Sequence, residues 1–111
     1  MRRVLFGDFG GVVRAGFDEV LRGEHVELLQ ADGRDLVTRV LEALPEVVVL
    51  DLDGSGTPEL VRRLVRDFPA LTVIGCSTRR PLMRVYPPFH HGESYDRELE
   101  PDVFTTTVVS A

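Results

Sequence analysis

The chain has 111 residues, a hydrophobic fraction of 43% and a charged fraction of 28%, values typical of a single globular domain with its own core, here spanning 1–111. Its net charge of -5 disfavours direct binding to nucleic acid, and no apolar run approaches the roughly 18 residues of a membrane helix. The single Cys76 excludes an internal disulfide, and the apolar start is too short for a signal peptide, so we expect a cytoplasmic protein.

The first half of the chain predicts strands alternating with helices. Arg3 to Gly7 predicts a strand, Val12 to Arg22 a helix that ends at Gly23, and His25 to Leu29 a short second strand. Asp32 to Asp35 can cap a second helix, which Pro45 stops. The apolar stripe predicted for this helix consists of Leu36, Val37, Val40, Leu41 and Leu44.

The central stretch predicts a buried strand that carries polar residues at its carboxyl end. Val47 to Leu50 are all apolar and run directly into Asp51. Thr57 and Pro58 then predict the cap and first position of a third helix, which ends near Pro69. A further strand is predicted from Leu71 to Cys76, finishing at Ser77.

Beyond Ser77 the alternating pattern stops. Residues 78–81 are too few for a crossover helix, so Leu82 to Tyr86 predicts a fifth strand for which an antiparallel orientation fits the short connector. Phe89 to Glu100 is polar and predicts irregular structure. Pro101 to Ala111 is interpreted as a last helix, although Thr105 to Val109 has strand-like propensity.

Three predicted strands end in polar side chains, at Asp8, Asp51 and Ser77. The carboxyl ends of parallel strands meet at one edge of a doubly wound sheet. Two carboxylates and a hydroxyl at that edge could hold a divalent cation and an anion. A purely structural α/β module, in which both aspartates only form turns, is an alternative.

In their order and spacing, several segments resemble the receiver domain of two-component response regulators. They are Val4 to Asp8, Gly11 to Gly16, Ala31 to Gly33, Pro45 to Leu52, Phe68-Pro69 and the strand ending at Ser77. The resemblance covers roughly residues 3 to 77. It implies a three-layer, flavodoxin-like α/β fold with a doubly wound parallel sheet in the order 2-1-3-4-5. This sequence departs from the family in that the usual fourth helix is reduced or absent.

The resemblance also assigns roles to residues of the pocket. Asp51 falls on the phosphoacceptor and Asp8 on the first member of the acidic pair. Ser77 falls on the hydroxyl that contacts the phosphoryl group and changes rotamer. Asp53 falls where a backbone carbonyl helps to bind magnesium. If Mg²⁺ is bound, its site therefore consists of Asp8, Asp51 and Asp53.

Two departures from the family pattern argue against ordinary phosphorylation. Phe9 stands where the second acid supplies a metal ligand, and all thirteen basic residues are arginine, so the family's lysine is missing. Arg79, Arg80 or Arg84 could substitute, but a guanidinium differs from an ammonium in shape and reach. We expect Arg79 or Arg80 to form an ion pair with Asp51, since a carboxylate beside Asp8 needs a compensating charge.

The sequence therefore predicts an atypical receiver, or pseudo-receiver, that is not an enzyme and acts on a protein partner or on another copy of itself. We expect no output domain beyond residue 111, no nucleic-acid contact and no membrane contact. Two alternatives remain. One is a phosphorylatable single-domain regulator. The other is a small phosphatase, because Asp51-Leu-Asp53-Gly resembles the Asp-x-Asp-Gly motif of haloacid-dehalogenase-type enzymes, whose two acids act as nucleophile and acid/base.

Overall fold

A computed structural model describes residues 1–31, 33 and 35–111. Asp32 and Arg34, which belong to the predicted cap of the second helix, lie outside the described residues. The elements in chain order are β1 (Arg2–Phe6), α1 (Gly11–Val20), β2 (Val26–Gln30), α2 (Leu36–Ala43), β3 (Val47–Asp51), α3 (Thr57–Asp67), β4 (Thr72–Cys76), β5 (Leu82–Tyr86), β6 (Tyr95–Glu98) and α4 (Pro101–Ser110). Within these ranges, every helix is too short or too polar to span a lipid bilayer.

The strands form one sheet in the order β2-β1-β3-β4-β5-β6, which confirms the predicted order and adds a sixth strand. β1 to β4 are parallel, whereas β5 pairs antiparallel with β4, with Ile74 opposite Val85. The sheet is therefore mixed, and the antiparallel orientation that the sequence favoured for the fifth strand is confirmed. The cause is the short connector after Ser77, which reverses the chain without a crossover helix.

β3 occupies the centre of the sheet and sends alternate side chains to two separate cores. Val47 and Val49 face the cluster under α1 and α4, while Val48 and Leu50 face the cluster under α2 and α3. All four side chains are at most 3% exposed. This burial on both faces explains the unbroken apolar run and fixes Asp51 at the carboxyl edge of the sheet.

Three local predictions need correction. Leu41 and Leu44 are exposed rather than part of the buried stripe of α2. Leu41 lies on the outer face of the helix, and Leu44 is the C-cap that follows the buried Ala43. Thr57 lies inside α3, whose N-cap is Gly56 at φ 81°, since the Thr57 hydroxyl donates to the Asp51 carbonyl. The segment predicted to be irregular contains β6, which pairs antiparallel with β5. The predicted last helix is confirmed as α4.

Candidate functional site

The ends of β1, β3 and β4 lie side by side at one edge of the sheet, because β1 pairs with β3 and β3 with β4. Asp51 is the last residue of β3 and is partly exposed. Its Oδ1 accepts a hydrogen bond from the Asp53 amide at 2.9 Å. Its carbonyl accepts the Thr57 hydroxyl at 2.8 Å and the Gly54 amide at 3.1 Å. These bonds give the loop after β3 a defined turn.

The Asp53 carboxylate bridges this loop to the end of β4. Its two oxygens lie 3.1 and 3.0 Å from the Ser77 hydroxyl, which donates its proton to the carboxylate. One of these oxygens also accepts the Thr78 amide at 3.0 Å and lies 3.4 Å from the Thr78 hydroxyl. The donors at the end of β4 are therefore already bound by a negative charge of the chain itself.

The Ser77 side chain is held from both sides. It is only 1% exposed, and its oxygen accepts the amides of Arg79 and Arg80, each at 3.2 Å. Its one proton is directed to Asp53. A hydroxyl with this set of partners has a fixed rotamer, because any other rotamer would leave a buried oxygen without its partners.

The electrostatics of Asp53 agree with this geometry. Partial desolvation acts to raise its pKa, but the hydrogen bonds from the Thr78 amide and the Ser77 hydroxyl act in the opposite direction. The amide and the positive charge of Arg79 add to the lowering. The net result is a pKa below the ordinary value of 3.8, so Asp53 is ionised at neutral pH.

Asp8 and Phe9 follow β1 at the same edge of the sheet as Asp51. Asp8 is exposed in the bend after β1. The centroid of the Phe9 ring lies 5.2 Å from that of Phe17 and 6.3 Å from that of Phe6, so Phe9 belongs to the aromatic cluster under α1. Among the described residues, no group of three His, Cys, Asp or Glu side chains is placed to hold a metal ion.

The arginines near the site are placed differently from the expectation. Arg79 and Arg80 are exposed, and in the described part of the chain neither forms a hydrogen bond or ion pair with Asp51. In place of an arginine, the Asp53 amide binds the Asp51 carboxylate. Arg84 binds Asp96 through two contacts, at 2.7 and 3.1 Å, on the neighbouring strand. Arg84 is therefore already engaged and does not replace a lysine at the pocket.

Sequence reasoning missed two contributors to the site. Thr78 supplies an amide and a hydroxyl to Asp53, and its position directly after Ser77 was the available signal. Gly75 was overlooked as well. A Cβ at Gly75 would collide with the Leu52 side chain, which lies across β4 at this point. The glycine therefore lets the loop after β3 lie close to the sheet.

Comparison with known proteins identifies a fold but no sequence family. The sequence matches no protein-family model and no curated protein. The structure is similar to that of the isolated REC domain of RcsB from Salmonella enterica serovar Typhimurium, determined in the presence of the phosphomimetic BeF3-. The TM-score is 0.58 at 22% identity, and the match covers 72% of this chain and 64% of that chain, just under two thirds of its length. This chain therefore has a receiver-like, flavodoxin-like fold.

Proposed function

We propose that the chain is a receiver-like signalling domain that regulates a protein partner by direct contact, without phosphorylation of Asp51. The observation that carries the proposal is the bond from the Ser77 hydroxyl to the Asp53 carboxylate at 3.0 Å. In the receiver family the corresponding hydroxyl contacts the phosphoryl group. A phosphoryl group on Asp51 would here have to displace a carboxylate of the same chain.

The charges around the pocket support the proposal. Phosphoryl transfer requires cations at the oxygens that become negative in the transition state. The ionised Asp53 adds a negative charge at the Ser77 hydroxyl, and Phe9 provides no metal ligand. Asp51 then has a structural role, since its carboxylate accepts the amide of Asp53, the residue whose side chain binds the Ser77 hydroxyl.

In this proposal the partner is a protein, or a second copy of this chain, in the cytoplasm. The net charge of -5 argues against nucleic acid as the direct partner. In this proposal the domain is not an enzyme, and its contact with the partner does not depend on phosphorylation, because the Ser77 hydroxyl is already bound by Asp53.

The test is intact-mass measurement after incubation with acetyl phosphate and Mg²⁺. We expect no phosphoryl adduct on the wild-type chain. The Asp51→Asn variant is the control, because an adduct on another residue would persist in it. A second sample, Asp53→Ala, leaves the Ser77 hydroxyl without its carboxylate partner. It shows whether Asp53 is the group that prevents phosphorylation of Asp51.

An adduct on the wild type that disappears in Asp51→Asn contradicts the proposal and identifies a phosphorylatable regulator. Steady release of phosphate without an adduct also contradicts it, in favour of the phosphatase alternative. An adduct that forms only in Asp53→Ala supports it directly, since the blocking group would then be identified.

A further inference from the structure

A large open groove, of about 990 Å³, runs along α3 on the face of the sheet opposite α1 and α4. Its walls are formed by α3 and by the loop that follows β5. Its apolar lining includes Val61, Val65, Leu71, Tyr86, Pro87 and Phe89. The layer that covers this face of the sheet ends at α3 within the described ranges, because the chain reverses from β4 to β5 without a helix.

The rim of the groove is basic in an otherwise acidic chain. Arg62, Arg63 and Arg66 line it. Two acids on the same helix partly balance them: Glu59 lies 3.8 Å from Arg62, and Asp67 lies 3.9 Å from Arg63 and 2.9 Å from Arg66. Only the last pair is close. Exposed ion pairs of this kind contribute little, so the carboxylates of a partner can compete for the guanidinium groups.

The loop presents a phenylalanine to solvent in a disfavoured backbone conformation. Phe89 has φ 62° and a side chain that is 68% exposed. His91 is also left-handed, at φ 54°. The Phe89 amide donates to the Pro69 carbonyl at 2.8 Å, and a Cβ added at Gly92 would lie 3.8 Å from the Val65 side chain, so the loop is held beside the carboxyl-terminal part of α3. A left-handed backbone and an exposed aromatic side chain both lower the stability of the fold, so their presence at the rim of a groove indicates a binding function.

We propose that this groove binds an acidic amphipathic helix of a partner protein. The eleven residues of α3 extend about 16 Å, which matches about three turns of a partner helix. The apolar stripe of such a helix would cover the lining and Phe89, and acidic residues beside the stripe would meet the arginines. Aromatic and arginine side chains are the types that dominate binding energy at interfaces. The inference rests on the proposed function, because it specifies which class of protein partner the domain would contact.

The probe is a fluorescein-labelled helical peptide with leucines at i, i+3, i+4 and i+7 and glutamates on both sides of that stripe. Binding is measured by fluorescence anisotropy. The matched variants are Arg62→Glu and Arg22→Glu, because both arginines are exposed and each pairs with a glutamate three residues earlier in the chain, at 3.8 and 2.9 Å. Phe89→Asn removes the aromatic ring, and asparagine tolerates the left-handed backbone conformation at this position.

We expect Arg62→Glu and Phe89→Asn each to raise the Kd at least about tenfold, and Arg22→Glu to change it less than about twofold. A peptide with lysine in place of glutamate should bind more weakly than the acidic one. Equal effects of Arg22→Glu and Arg62→Glu, equal binding of the two peptides, or no binding of the acidic peptide would overturn the inference. The acetyl phosphate experiment is independent, so either proposal can fail alone.

Discussion

The Asp53 carboxylate joins two loops that follow different strands. It accepts the Ser77 hydroxyl and the Thr78 amide, while its own amide is held by Asp51. Each of these bonds involves a charged acceptor, which makes it stronger than a bond between neutral groups. The contact between the loop after β3 and the end of β4 therefore depends on the ionised Asp53 side chain.

This dependence predicts a pH-sensitive contribution of Asp53 to stability. Its folded-state pKa lies below 3.8, so the contribution is fully present above the unfolded pKa and is lost as the pH falls through the folded pKa. Asp53→Ala should lower stability at neutral pH. The difference from wild type should vanish under strongly acidic conditions.

Urea unfolding of both proteins from about pH 7 to about pH 2 measures this difference. Glu24→Ala, which changes an exposed acid in a turn, is the control and should leave the stability nearly unchanged at each pH. A difference between wild type and Asp53→Ala that persists undiminished at the acidic end would refute the linkage to Asp53 ionisation.

Part of the site could be predicted from the sequence and part could not. The placement of Asp8, Asp51 and Ser77 at one edge follows from apolar runs that end in polar residues, a local signal. The bond between Asp53 and Ser77 does not follow, because it depends on side-chain directions in two loops that are 24 positions apart. The expected ion pair of Asp51 with Arg79 or Arg80, which is not found among the described residues, also depended on side-chain directions that the sequence does not reveal.

The end of α2 illustrates how an element can depart from its sequence pattern. Leu44 continues the apolar spacing of the helix, yet it is the C-cap, with φ 51° and ψ 55°, and its side chain is 69% exposed. The left-handed conformation is unfavourable for leucine and natural for glycine. The helix therefore ends at a residue that gains little packing and adopts a strained backbone.

Replacing Leu44 by glycine should stabilise the domain by about 1 kcal/mol, because the strain at the cap is removed and little buried surface is lost. Leu41→Gly is the matched control. It changes another exposed leucine inside the same helix, where glycine costs about 1 kcal/mol. Urea unfolding should show shifts of opposite sign, and a loss of stability in both variants would rule out the cap as the cause.

The strands show which elements a sequence can predict. β3 and β4 are apolar runs bounded by turn residues, and they are found because each carries its own signal. In β6 all four residues are exposed, so no alternating pattern marks it. Its order comes from pairing with β5, including the bond between Arg84 and Asp96, a contact between distant positions that composition does not reveal.

At the scale of the whole molecule, the sheet separates two cores, and Cys76 lies in the one beneath α1 and α4 with no exposed surface. Burial raises the pKa of its thiol to about 12, with a further contribution from the Asp51 carboxylate. The thiolate, which is the reactive form, is therefore scarce at neutral pH and also inaccessible.

We predict that Cys76 in the native protein reacts only slowly with a thiol reagent such as DTNB, and that it reacts fully in urea. Because its strand is central, the slow reaction in water should report opening of the whole domain. Ser110→Cys, at an exposed position, supplies a control thiol that should react at once. Rapid modification of the wild-type thiol would mean that β4 opens without the rest of the sheet.

The all-exposed β6 also governs how the molecule behaves at high concentration. A strand at the edge of a sheet presents unpaired amides and carbonyls, which invite further strands from other molecules. Three of the four residues of β6 are charged, namely Asp96, Arg97 and Glu98. An added strand would have to remove these charges from water. The same short strand that extends the sheet thus protects it from aggregation at that edge.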